Sequence, residues 1–310
     1  MAVMGPREYA NKYWEMDVPI IDDDNNFKTY EKVEFNKYRL HMGWLTNPVV
    51  FPPGLMDFLS AIDTYAAKLF KQGKPIQLRV KNVWGDNHYI SISTMAEFKK
   101  LHPRPAAAFS GKGSPEDVQL TLQLAARCGV ATKGLQQYCD EKVDTYSRLG
   151  LDCNGFVGNY LRYRDSSYKW SDASPKGKIT STTMIRDLLQ ILGTKPITNV
   201  DDMMNSRIFV MGLVDNTGTV INQLDSNGRP GHIVITESVS WGKRAVYPPV
   251  PKEYLIPNER YLHYSTLEAT PGVGLSPGVY AILNMTKSGV ATVFRGNVNS
   301  TMRVKIYPMI

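Results

Sequence analysis

The chain has 310 residues, 43% of them apolar and 21% charged, with 36 basic and 29 acidic side chains for a formal net charge of +7. That is enough for one large or two ordinary domains, and it excludes a disordered tail, a collagen-like fibre and a disulfide-dense mini-domain. No stretch approaches the length of uncharged apolar sequence that a membrane span needs, and no Lys/Arg run of the kind that tracks a phosphate backbone is present.

In chain order, Met1 to Glu15 lacks a basic segment followed by an apolar one, so no secretory signal is expected. Asp22 to Asn26 reads as a polar loop. Leu55, Phe58, Leu59, Ile62, Ala66, Leu69 and Phe70 recur at helical spacing, which predicts an amphipathic helix over 54–71 ended by Gly73. Gln77–Val83 and His88–Ser93 read as a hairpin around a Gly-Asp-Asn turn. Trp44, Pro52, Pro53 and Trp84 read as core or loop residues, with a binding surface as the alternative. The segment His102–Ser114, rich in Pro, Gly, Ala and Ser, reads as a linker. The expected organisation is therefore a mixed N-terminal domain over 1–101, a linker over 102–114 and a second domain over 115–310.

The second domain opens with Ser114 as a candidate N-cap, Pro115 as first helical residue and Asp117 at N3. Helix is predicted to about Arg127, again from about Lys133 to Leu149, from Asp152, and after Ser181 with Ile185, Leu188, Leu189 and Leu192 on one face. Strands follow: Arg207–Val214, His232–Ser240, Tyr261–Thr270, Val279–Leu283, Val290–Arg295 and Met302–Tyr307. Helices first and then strands with hairpin-length links predict an α+β fold with an antiparallel sheet.

The three cysteines are Cys128, Cys139 and Cys153. Their odd number argues against a fully paired disulfide framework, and no Cys-x-x-Cys or His-x-x-x-His spacing indicates zinc. Cys128 and Cys139 read as small buried residues. Cys153 differs because Asp152 is a good N-cap, which puts the thiol in the first turn of a helix. Backbone N–H groups and the helix dipole favour a thiolate there. Phe156, Val157, Tyr160 and Leu161 would bury this helix, and Gly155 and Gly158 would keep it thin. A thiol nucleophile needs a base. Of His41, His88, His102, His232 and His263, the one that opens a strand after a Gly/Pro/Asn-rich turn is His232, in Gly231–Val239. The base needs a group to orient it. Glu268 and His263 are the polar candidates on the following strand, and their opposite parity lets at most one face the site.

Leu149-Gly-Leu-Asp-Cys-Asn-Gly-Phe-Val157 resembles the Asp-Cys-Ser-Gly-Phe-Val signature of NlpC-type peptidases, which are papain-like cysteine hydrolases acting mostly on bacterial cell-wall peptides. Gly231–Ile235 resembles the family's histidine strand, and Leu267-Glu-Ala-Thr270 its third element, with Glu268 in the polar slot. Ile208–Asp215 resembles the strand before the histidine. The resemblance covers about residues 115–285. Asn154 stands where the family has Ser, and Cys153 and His232 lie 79 residues apart, which implies insertions near 164–206 and 241–259. Tyr138 and Tyr146 are the near candidates for a family tyrosine upstream of the cysteine, at unusual offsets.

The resemblance implies a papain-like α+β domain with catalytic Cys153, His232 and Glu268, and no metal or cofactor. It implies a bacterial cell-wall peptide as substrate, cut as an endopeptidase or amidase, by a phage protein or by an effector exported by a non-classical route. Residues 1–101 would serve a delivery apparatus or an immunity partner; no nucleic acid and no membrane span are expected. The alternatives are a structural part of a virion or injection apparatus that retains the fold, and a papain-like acyl or amide transferase.

Overall fold

The computed structural model describes residues 3–39, 51–82, 84–143, 145–165, 189, 192–206, 208–222, 230–243, 260–271, 273–296 and 299–309. The chain divides into two compact units: Glu8–Thr182 with Thr270–Leu275, and Met1–Arg7 with Thr183–Ala269 and Ser276–Ile310.

The first, mainly helical unit is organised around α5 (Pro115–Arg127). It follows helices α1 (Pro6–Trp14), α2 (Leu55–Lys71), α3 (Met95–Lys99) and α4 (Pro103–Phe109), and the hairpins β1 (Met16–Ile21) with β2 (Phe27–Val33) and β3 (Ile76–Lys81) with β4 (Asn87–Ile92). Helices α6 (Leu135–Asp140) and α7 (Cys153–Arg164) complete it. The Ser114 side chain accepts from the Asp117 N–H while Asp117 accepts from the Ser114 N–H, a reciprocal cap, with Pro115 in the first turn. Every residue from Val118 to Ala125 is buried, so α5 is a central helix and not a surface one. Its two glutamines solve the polar problem this creates. Gln123 accepts from the Arg79 N–H at 3.0 Å and donates to the Arg79 carbonyl at 2.6 Å. Gln119 accepts from the Lys81 N–H and donates to the Asp17 carbonyl at 2.7 Å. Spaced one helical turn apart, the two amides satisfy strand-edge backbone groups as a neighbouring strand would.

The expected linker over 102–114 is instead part of this unit. Pro103 opens α4, Pro105 to Phe109 are buried, and Ser110, Lys112 and Ser114 are buried too. Its small residues serve close approach: a Cβ on Gly113 would come within 2.9 Å of the Ala108 Cα. The boundary expected at 101 is likewise absent from the division of the chain, because the backbones of β1 and β3 are bonded to α5. Helix expected over 133–149 is confined to α6. Beyond it the Arg148 N–H bonds the Glu141 carbonyl at 2.7 Å, and Lys142 bridges Ser147. Thr145 and Ser147 are residue types that favour turns over a helix interior. Trp44, His41 and most of the helix expected after Ser181 lie outside the described residues.

The second unit is a closed antiparallel barrel of β5 (Phe209–Leu213), β6 (Ile233–Lys243), β7 (Arg260–Thr270), β8 (Gly274–Met285), β9 (Val290–Arg295) and β10 (Ser300–Pro308), in the order β10-β5-β6-β7-β8-β9. Closure falls to β10: Val304 is opposite Leu213 on one side and Ala291 on the other. No edge of this sheet is left to pair with another chain. Phe209, Met211, Val234, Tyr264, Tyr280, Ile282, Val293 and Ile306 fill a core that Met203, from a 3-10 helix over Val200–Asn205, also enters. Each barrel strand overlaps a segment expected from sequence, and β9 has the expected bounds.

Candidate functional site

In the helical unit, Cys153 is the first residue of α7 and is 7% exposed. Asp152 caps the helix: its backbone is extended and its side chain accepts from the Gly155 N–H. The Asp152 N–H bonds the Gly111 carbonyl at 3.0 Å, so the segment after α4 runs directly against this helix start. Gly155 makes room for it. A Cβ there would sit 1.8 Å from the Gly111 oxygen.

The Asp152 carboxylate is buried and forms an ion pair with buried Lys112. Burial pushes its carboxyl above the ordinary aspartate range, and the Lys112 charge opposes that shift. Lys112 thus neutralises the carboxylate next to Cys153, which would otherwise oppose negative charge on the sulfur. The Lys112 carbonyl accepts from Asn159 at 3.0 Å, and Tyr13 donates to the Gly113 carbonyl at 3.0 Å, so the segment that carries Lys112 is itself held.

Tyr38 belongs to this neighbourhood, which no spacing argument had suggested. Its residue bridges Leu151, the Leu151 N–H bonds the Lys37 carbonyl at 2.8 Å, and its ring meets Tyr146 edge-on at 5.6 Å. Its phenol is pushed up chiefly by burial, and the neighbouring Asp152 carboxylate acts in the same direction. Of the two tyrosines suggested by sequence, Tyr146 therefore contacts Tyr38, while Tyr138 lies under the Arg148 guanidinium at 4.7 Å. Cys139 is buried as expected, whereas Cys128 is half-buried, and desolvation pushes both thiols up, which does not suit nucleophiles.

In the barrel unit, His232 stands immediately before β6 and Glu268 near the end of β7. Their side chains meet, His232 Nε2 to Glu268 Oε2 at 2.9 Å. The same oxygen accepts from the Tyr280 hydroxyl and from Arg295 Nη2, each at 2.9 Å. The Glu268 side chain is 0% exposed, and those of His232 and Arg295 are 16% exposed. Burial and the Glu268 charge push the Tyr280 and Tyr264 phenols well up, so both remain neutral. His263 sits in β7 opposite Ser240; its side chain is outside the described residues. Of the other histidines, His102 pairs with Asp63 at 2.8 Å and His88 stands opposite Val80.

Sequence reasoning thus named both members of the histidine–carboxylate contact and missed Tyr280 and Arg295. These two face each other across β8 and β9. The available signal was a basic residue closing the otherwise uncharged run Val290–Phe294.

Among the described residues, no group of three or more His, Cys, Asp or Glu could hold a metal ion. No helix among them is long and apolar enough to cross a membrane. No family model, curated protein or solved structure matches the chain.

Proposed function

We propose that this chain is a thiol-dependent hydrolase that cleaves amide bonds in bacterial cell-wall peptides, with Cys153 as nucleophile, His232 as base and Glu268 as the group that orients it. The observation that carries the proposal is the part-buried His232–Glu268 contact, between residues that follow Cys153 in the order its motif resembles. Also in support, Cys153 starts a capped helix beside a neutralised carboxylate. The same resemblance makes the chain a phage protein or a secreted effector.

The chemistry balances without a cofactor. The Cys153 sulfur attacks the amide carbonyl as His232 takes the thiol proton. With Nε2 turned to Glu268, Nδ1 is the nitrogen that accepts it. The C–N bond of the tetrahedral adduct then breaks, and the amine leaves with that proton. Water attacks the thioester, giving one proton to His232, and collapse releases the carboxylic product and returns the proton to the sulfur. The Cys153 backbone N–H is the proposed oxyanion donor.

The proposal requires the thiol and the imidazole to share a proton, and alkylation tests this without a substrate. Iodoacetamide at neutral pH should modify Cys153 at least ~10-fold faster than Cys128 or Cys139, whose thiols are pushed up by burial. His232→Ala should remove that advantage. An alkylation rate that is unchanged in His232→Ala would refute the pairing and leave the scaffold reading.

A further inference from the structure

Three donors converge on one oxygen of a fully buried carboxylate, and they are not equivalent. Arg295 brings a charge that it cannot lose at any pH the fold survives. Tyr280 brings a neutral hydroxyl, held neutral by burial and by Glu268 itself. Only His232 can be charged or uncharged. In a bare histidine–carboxylate pair, the imidazolium is the sole counter-charge to a buried carboxylate, and the pair holds a standing proton on the ring. Here the carboxylate charge is already met by the guanidinium.

The bracing is built into the barrel. Tyr280 and Arg295 are register partners on adjacent strands, and the guanidinium lies 5.7 Å over the Tyr280 ring. Among the described residues, Tyr264 is also turned toward Glu268, four residues earlier on the same strand and therefore on the same face. It too is neutral.

We propose that Arg295, braced by Tyr280, is a positioning residue that neutralises Glu268 and so keeps His232 an uncharged imidazole, with its N–H at Nε2 and its basic lone pair at Nδ1. The proposal rests on the thiol-hydrolase reading only for what this base acts on. Within that reading it means that the base is uncharged before it takes the thiol proton during attack.

The test is an NMR titration of the His232 ring in the full-length protein from about pH 5 to about pH 9, which needs no substrate. The wild-type ring should titrate below about 7, near or under the ordinary histidine value of about 6.5. Arg295→Gln removes the guanidinium, and the proton then goes to the more basic partner, the ring. Its midpoint should rise by about 1–2 pH units. Arg295→Lys should return it to near the wild-type value, and Tyr280→Phe, which changes no charge, should move it little. An unchanged midpoint in folded Arg295→Gln would overturn the proposal, as would a wild-type midpoint above about 7. If Arg295→Gln does not fold, the wild-type midpoint alone decides. A protein that releases nothing from cell wall would defeat the hydrolase reading and leave this titration result standing.

Discussion

Replacing Glu268 by Gln changes little volume and removes one charge from a side chain that is fully buried in the barrel unit. Its Oε2 accepts from His232, Tyr280 and Arg295 at 2.9 Å each. A glutamine oxygen in the Oε2 position can still accept from all three donors, but it carries no charge. Arg295 then loses the carboxylate that balances its charge, in a site where its side chain is 16% exposed. Breaking a buried ion pair by removing one partner costs about 3–5 kcal/mol, and the partial exposure of Arg295 places this case near about 3 kcal/mol. In a protein of 310 residues that lowers Tm by roughly 5 °C. The His232 midpoint should also fall by more than about one pH unit, because the imidazolium loses an attractive carboxylate and keeps a repulsive guanidinium. Calorimetry and ring NMR on the same sample read both effects. A Tm within about 1 °C of wild type together with an unmoved ring titration would refute the electrostatic account of this cluster.

Gly155→Ala sets two effects of opposite sign against each other. Helix propensity alone would stabilise α7 by about 1 kcal/mol, whereas the Gly111 carbonyl, 1.8 Å from the new Cβ, is backbone and must move. Overpacking should prevail, with a net loss of about 2 kcal/mol in thermal unfolding, and a gain would contradict the close approach. Alkaline titration should also be cooperative. Burial raises the phenols of Tyr9, Tyr13, Tyr38, Tyr138, Tyr160, Tyr264 and Tyr280, and raises Tyr65 to about 12. A raised folded value means that this stability is fully present below the unfolded value of about 10 and is lost above it, at about 1.4 kcal/mol per pH unit for each such residue. Absorbance at the phenolate band should rise in step with unfolding; smooth ionisation of every tyrosine before unfolding would contradict that burial.

What local chemistry controls was readable in the sequence. Ser114, Pro115 and Asp117 announce the start of α5, the stripe from Leu55 to Leu69 defines the buried face of α2, and Asp152 places Cys153 at a helix start. What depends on distant partners was not. The 102–114 stretch has a linker's composition, yet its alanines and glycines are small because other backbone lies against them. Strand β2 carries Lys28, Glu31 and Lys32 among exposed residues and shows no alternating burial, so it left no period-two signal. Barrel closure through Val304 joins β10 to a strand some ninety residues earlier, a pairing that no local pattern contains. The site divides along the same line. Strand parity let at most one of Glu268 and His263 face the site, the likeness of Leu267-Glu-Ala-Thr270 to the family pattern favoured Glu268, and Glu268 is the residue found on His232. Arg295 and Tyr280 reach that carboxylate only through the register of β8 and β9, and Tyr38 reaches the surroundings of Cys153 only through its bridge to Leu151.

The most direct test of the hydrolase proposal is digestion of purified peptidoglycan by the full-length protein and by Cys153→Ala, with the soluble fragments identified by mass. The proposal predicts that the wild type releases fragments with a newly exposed amine and carboxylate at one defined amide bond, and that Cys153→Ala, still folded, releases none. Equal release by both proteins, or none by a wild type whose Cys153 alkylates no faster than Cys128, would contradict it.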